Sequence, residues 1–431
     1  AQRRRPARAQ AQQLQPAAQR AALGNTQIAF PVSKIERSRR SERWDLRDGL
    51  REFSRIESVR KCGLVPIAPL VSLRADSHGG RAGYGGLSTC GSVWVCPVCS
   101  AKIASRRKGE LEEVLQHATG HGFEVSMLTL TQRHHQGQRL GDLWDALSSA
   151  WNAVTSGRRW LEFKEQLGLV GWVKAVEVTH GKAGWHVHIH VLVISEKNPE
   201  TTLLFWQRKQ GRKRTPYRVE WYSPAEFIAA RWSKGLAKHG VDFIADKGGL
   251  DWEVARDSRA MARYVAKMQT NGKETPKSNT DAISSEATLG GFKKARRGNR
   301  TPFQILADII ENGDADDLDI WHEYERLSRG RRALTWSKGL REWAGLGQEQ
   351  TDEEIAEEEA GDETIANFNH DAWKQVRAAG AAELLDVTEQ QGAAAALAWL
   401  DDRKISWSPP TKRGKPGNEK AGYTPHLDPP E

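Results

Sequence analysis

Residues 171–194, GWVKAVEVTHGKAGWHVHIHVLVI, constrain this chain more than any other stretch. β-Branched and other apolar residues alternate on both sides of His180-Gly181-Lys182-Ala183-Gly184, a run of turn formers, which predicts two antiparallel strands joined by a tight turn. Successive strand side chains point to opposite faces and rise about 3.3 Å per residue, so His186, His188 and His190 share one face while Val187, Ile189 and Val191 fill the other. Neighbouring histidines of the triplet are then about 6.6 Å apart at the backbone, close enough for two imidazoles to converge on one ion. The outer two are not. A turn centred on Lys182-Ala183 pairs His180 with Trp185 and sets Glu177 directly opposite His188. Two imidazoles and a carboxylate on one side of a sheet form a ligand set suited to a divalent cation. Glu177, His188 and His190 are therefore the expected metal ligands, with His186 beside them. The competing reading is the polar face of an ordinary sheet.

A second ligand pattern lies upstream. Cys62 is followed by Cys90, Cys96 and Cys99, the last two in Cys96-Pro97-Val98-Cys99. Two thiolates separated by two residues can hold one Zn²⁺ from a tight knuckle, and two more close a tetrahedral structural site. His78 is an alternative to Cys62 as the fourth ligand. A thioredoxin-like redox pair at the start of the helix expected over 100–118 is disfavoured by the two further cysteines and by the lack of a βαβ pattern.

The rest of the chain sorts by pattern. Its formal charge of +9 over 431 residues favours an acidic partner, most economically nucleic acid. No apolar run approaches the roughly 20 residues that span a bilayer, and the first residues lack the apolar core of a signal peptide, so a cytoplasmic protein with no membrane partner is expected. Residues 123–135 read as a strand with Leu128 and Leu130 on one face and Thr129 and Thr131 on the other, followed by one helix over 142–167. Between 205 and 222 aromatic and basic residues interleave. Arg208, Lys209, Arg212, Lys213 and Arg214 are candidates for phosphate contact, and Trp206, Tyr217 or Trp221 for base stacking. A helix over 224–239 and short strands over 241–245 and 250–254 come next. In DSRAMARYVAKM, 257–268, Met261, Val265 and Met268 give a helix its buried stripe, and Asp257, Ala260, Tyr264 and Lys267 form a second stripe beside it.

A Leu-Thr-Leu-Thr strand, a His-hydrophobic-His strand and a Tyr-x-x-Lys helix, in this order, resemble the plasmid rolling-circle replication initiators of the HUH endonuclease superfamily. The resemblance runs from about residue 62 to 267, and residues 301–345 resemble the C-terminal part of actinobacterial members. It implies that His188 and His190 bind the ion, Mn²⁺ or Mg²⁺, that holds the scissile phosphate, with Glu177 the inferred third ligand. It also implies that Tyr264 is the nucleophile, and that the partners are single-stranded origin DNA and host replication proteins. Lys267, one turn on, would favour the phenolate. The chain departs from some relatives in carrying Ala260 where they place a glutamate, with Asp257 two turns back as the substitute, and in having a single tyrosine in this motif. An HUH transposase or relaxase could use the same chemistry; a non-catalytic zinc-containing DNA-binding protein would use none of it.

The expected fold is α+β: an antiparallel sheet carrying the ligands on one face, with the tyrosine helix across it. The expected divisions are a disordered basic arm (1–45), a zinc-binding region and helix (46–120) and an endonuclease domain (121–275). A basic loop and helical region (276–348) follows, then an acidic linker or helix face (352–363), two weak helices (367–385 and 388–400) and a disordered tail within 349–431.

Overall fold

The structure, a computed structural model, describes residues 39–77, 81–209, 217–244, 248–255 and 298–410. The basic arm and the C-terminal tail expected from the sequence fall outside these residues almost entirely. Helices α1 (Arg39–Leu50) and α2 (Glu57–Lys61) lead to strands β1 (Val71–Ala75) and β2 (Ala82–Gly85), and the long helix α3 (Pro97–Gly120) runs into β3 (Glu124–Leu130). Helices α4 (Leu140–Val154) and α5 (Gly157–Leu167) precede the hairpin of β4 (Leu169–Gly181) and β5 (Gly184–Ser195). A second hairpin, β6 (Leu204–Lys209) with β7 (Tyr217–Tyr222), is followed by α6 (Pro224–Ala237) and β8 (Leu250–Val254). After residue 298 come α7 (Pro302–Asn312), α8 (Ala315–Ser328), β9 (Leu334–Trp336), α9 (Leu340–Trp343), α10 (Asp352–Glu357), β10 (Glu363–Phe368), α11 (His370–Gln391) and α12 (Ala393–Asp402). The fold is α+β, with antiparallel sheets, the cysteines ahead of the main sheet and helices behind it.

The main sheet has five antiparallel strands in the order β8-β3-β5-β4-β9. Period-two alternation decides what each face meets. Leu128, Leu130, Val178, Val187, Ile189, Val191 and Val193 point to one face and pack under Leu143, Trp144, Leu147 and Trp151 of α4. On the opposite face Val125, Met127, Val173, Leu192 and Ile194 are covered by Leu111, Val114, Leu115 and Ala118 of α3. That second face is thus apolar at one end only; toward the hairpin tip the same alternation presents Thr129, Glu177, His186, His188 and His190.

The hairpin has the expected register. Lys182 and Ala183 form the turn between Gly181 and Gly184, which sits at φ +83°, a conformation glycine adopts without steric cost. His180 pairs with Trp185 and Glu177 with His188. The tip is tied down from outside. His180 and Arg300 exchange backbone hydrogen bonds of 2.9 and 2.7 Å, and the Arg300 guanidinium reaches Asp308 on α7 and Asp317 on α8.

Several elements differ from the sequence expectation. The single helix expected over 142–167 is two, because Ser156 is extended and Gly157 has a φ of +75°, while the Thr155 hydroxyl donates to the Trp151 carbonyl and ends α4. No strand forms over 241–244. Leu334 and Trp336, expected on a helix, alternate inward on β9 and pair with Ala175 and Val173 at the open edge of β4. The basic stretch after residue 204 is a two-stranded ribbon in its described part.

Of the two readings of the acidic segment, the helix holds over Asp352–Glu357. A capping box of Thr351 and Glu354 starts α10, which buries Ile355 and Ala356 against the cysteines. The following strand, β10, pairs with β1 in a second sheet, ordered β10-β1-β2. Behind it α11 and α12 bury Trp373, Val376, Leu384, Leu385, Trp399 and Leu400, so these helices are core elements. α11 kinks at Gly380, whose φ of +126° interrupts the helix.

Candidate metal centres

Glu177 on β4 and His188 and His190 on β5 aim at one point above the sheet. The two imidazole Nε2 atoms are 3.1 Å apart, and each is 3.2 Å from Glu177 Oε2. Two donors about 2.1 Å from a shared ion and at right angles around it stand about 3.0 Å apart, so this triangle has the size of one face of a coordination octahedron. Three lone pairs so close repel one another unless a proton or cation sits among them. Burial by itself would raise the Glu177 carboxyl, yet the His188 and His190 imidazoles pull it well below the usual carboxylate range, which keeps it in the ionised, ligating form.

The rings are held by neighbours on the same face. Thr129 lies opposite His190 in the β3–β5 ladder, its Oγ1 3.1 Å from His190 Nδ1. His188 is 9% exposed, and its ring stacks on His186 with centroids 4.7 Å apart; the His134 ring lies tilted against His186 at 4.9 Å. Among the described residues the converging donor atoms are those of Glu177, His188 and His190; His186 contributes a ring face to its neighbour. Burial, followed by the nearness of His188, lowers the His186 imidazole to about 3.

The four cysteines form the second cluster. Cys62 follows α2, Cys90 sits in the loop after β2, and Cys96 and Cys99 lie at the start of α3, where Pro97 takes the first helical position. All are free thiols, and their sulfurs approach to 3.5 Å (Cys62–Cys99), 3.7 Å (Cys62–Cys96) and 3.7 Å (Cys90–Cys99). A tetrahedron of sulfurs about 2.3 Å from a zinc ion has edges of about 3.8 Å, so the four thiols could hold one zinc with little movement. Hydrogen bonds from the other thiols, Cys90 foremost, draw Cys62 toward the thiolate, and the same contacts push the Cys90 and Cys96 thiols the other way. Ile103, Ile355 and Ala356 close the surroundings.

Comparison with known proteins places the chain. A family model described as a replication protein matches residues 87–199, a stretch that takes in Cys90, Cys96, Cys99, Thr129 and the whole ligand-bearing hairpin. Protein rep of Streptomyces lividans is 30% identical over 324 residues, which is 63% of this chain and 67% of that protein. The chain belongs to the Rep family of replication proteins. A further relative of this Rep chain, from Streptomyces cyanogenus and named neomycin resistance protein, is 26% identical over 308 residues, 59% of the chain and 68% of the relative. No solved structure matches it.

Membership in the Rep family gives the coarse function, initiation of plasmid replication, and with it DNA as partner. Other residues singled out in the sequence of this Rep protein fall in different places. Tyr264, Lys267 and Asp257 lie outside the described residues, as do His78, Arg212, Lys213 and Arg214. The backbone of Arg208 and Lys209 belongs to β6, paired with Arg218 and Tyr217 of β7. Trp206 is not available for stacking on bases: it is 5% exposed and packs on Phe227, whereas Trp221 is 59% exposed beside Phe205. Two contributors have no local signature in the sequence. Thr129 was read as one of a pair of strand threonines, but its partner His190 follows only from a pairing between strands 61 residues apart. The His134 ring, just past the same strand, has no local sign in the sequence of its contact with His186. No helix among the described residues is long and apolar enough to cross a membrane.

Proposed function

We propose that this Rep protein nicks one strand of its plasmid origin through a metal-dependent tyrosine transesterification and so begins rolling-circle replication. The observation that carries the reading is the triangle of Glu177 Oε2, His188 Nε2 and His190 Nε2 at the hairpin end of the sheet, in a chain of this family. The donor set fits a divalent ion, Mn²⁺ or Mg²⁺, and favours Mn²⁺ because Mg²⁺ prefers oxygen ligands. When bound, the ion supplies positive charge to a phosphodiester oxygen. Glu177 offers a negative charge to hold it, and His188 and His190 offer imidazole nitrogens.

Tyr264 is assigned the attack. Its Oη forms a bond to phosphorus while the bond from phosphorus to the 3′ oxygen breaks, which leaves a 5′-phosphotyrosine and, after proton uptake, a free 3′-hydroxyl that primes synthesis. A tyrosine with an ordinary pKa of about 10 needs help to ionise at neutral pH, and the Lys267 ammonium is assigned that part. Arg208, Lys209, Arg212, Lys213 and Arg214 are assigned to phosphate contacts. The cysteine cluster is assigned one structural zinc, and host replication proteins are the expected later partners.

The test is incubation of the full chain with labelled single-stranded origin DNA and Mn²⁺. A covalent protein–DNA adduct is expected, and Tyr264→Phe should abolish it while DNA binding persists. An adduct unchanged in that variant removes Tyr264 from the mechanism. Binding without any adduct in the natural chain leaves a zinc-containing DNA-binding protein instead.

A further inference from the structure

We infer that Thr129 is a positioning residue that fixes the His190 ring in the tautomer whose Nε2 lone pair faces Glu177 and His188. The inference rests on the divalent-ion reading of that site and adds to it the group that sets one ligand's protons. A neutral imidazole carries a single N–H, and the hydrogen bond at one nitrogen decides which nitrogen is left to ligate. Thr129 Oγ1 is 3.1 Å from His190 Nδ1, directly across the ladder between β3 and β5. Accepting the proton of Nδ1 leaves Nε2 bare, 3.2 Å from Glu177 Oε2 and 3.1 Å from His188 Nε2. The reverse arrangement would put a hydrogen on Nε2, in the middle of the ligand triangle. A β-branched side chain on a central strand has few rotamers, so the hydroxyl stays where the strand register puts it.

The two ligand rings are therefore held by different means. His188 Nδ1 is buried and has no hydrogen-bond partner among the described residues; its ring is held by stacking on His186, nearly face to face at an interplanar angle of 21°. His190 stands almost perpendicular to His188, at 78°, where the same stack cannot reach it. The Thr129 bond is the contact at its Nδ1 among the described residues.

Thr129→Val keeps the shape and removes the hydroxyl, and Thr129→Ser keeps the hydroxyl. Mn²⁺ affinity of the full-length, zinc-loaded chain, followed by electron paramagnetic resonance, should fall about 10- to 100-fold in the valine variant and stay within about threefold in the serine variant. Nitrogen-15 spectra of the same proteins without Mn²⁺ should place the His190 ring proton on Nδ1 in the natural chain and in Thr129→Ser, and redistribute it in Thr129→Val. A valine variant that binds Mn²⁺ as well as the natural chain overturns the role of Thr129 and leaves the site reading intact. The Nε2–H form in the natural chain overturns it as well. A natural chain that binds no Mn²⁺ sinks the divalent-ion reading itself, and Thr129's role toward the ion with it.

Discussion

The two ligand clusters of this chain differ in where their donors come from and in what surrounds them. The cysteine cluster draws on three separate stretches, is of one chemical kind, and is roofed by Ile355 and Ala356 of a helix some 250 residues further along. The Glu177–His188–His190 cluster draws all its donors from one hairpin and sits toward the hairpin end of a sheet face whose other end is packed under α3. Four protein ligands complete a tetrahedral site and fix chain segments to one another, whereas three protein ligands leave coordination positions for something that comes and goes. The difference separates a part that maintains the fold from a part suited to chemistry.

The comparison predicts opposite outcomes for removing a donor. Cys96→Ser should have the largest effect: elemental analysis should find about one zinc in the natural chain and none in the variant. Stability should drop on the order of 5 kcal/mol, below the ~10–16 measured for whole zinc-finger peptides because the surrounding core persists. A metal-free natural chain that is folded and active would erase the distinction. His188→Ala or His190→Ala should instead leave the thermal midpoint nearly unchanged while Mn²⁺-supported cleavage at ordinary metal concentration falls at least about 100-fold, more than loss of an outer hydrogen bond costs. Cleavage retained in both variants would dissolve the second cluster.

His186→Ala sharpens the picture within that cluster. Because His186 supplies a stacking surface to His188 rather than a converging donor atom, cleavage should fall less than about tenfold, with weaker Mn²⁺ binding as the cause. A loss as deep as that of His190→Ala would make it a ligand after all. The smallest effect is expected at the hairpin tip. Burial, and then the Arg300 charge, hold the His180 imidazole below its ordinary value. The unfolded chain therefore takes up a proton before the folded one does. The stability contributed by neutral His180 is full above pH of about 6.5 and declines as pH falls through the lower folded value. Melting curves at pH 7.5 and 5.5 should show a small acid loss that His180→Gln reduces; an equal loss in the variant would assign the effect to other groups.

How much of this was legible follows from distance along the chain. The hairpin register could be read from the sequence because a two-residue turn and strict alternation leave no freedom, and Glu177 does face His188. The grouping of Cys62 with the three later cysteines also has its expected members. What stayed hidden depended on remote partners. β9 is three residues of Leu-Thr-Trp inside a helical stretch, and it is a strand because β4 offers an unpaired edge. β10 follows directly on an acidic run whose charge suggested solvent, while its own Ile365, Ala366 and Phe368 are buried. Trp206 and Trp221 look alike in a basic, aromatic stretch; only the ribbon's packing on α6 decides that one is core and the other is surface.

The second sheet also has a consequence for how the chain is made. β1 is the middle strand, between β2 and β10, and its Arg74 is bonded across the ladder to Thr364, 290 residues later. Synthesis delivers β1 and β2 well before β10, with 290 residues between Arg74 and Thr364. For most of translation one edge of β1 has no partner, and such an edge is a template on which other chains can pair. Closing so long a loop adds little to the entropic cost beyond what a loop half the length would demand, but it sets an order of assembly. The ligand hairpin, complete within 27 residues of β4's first residue, can form while the ribosome still holds the strand that finishes the other sheet.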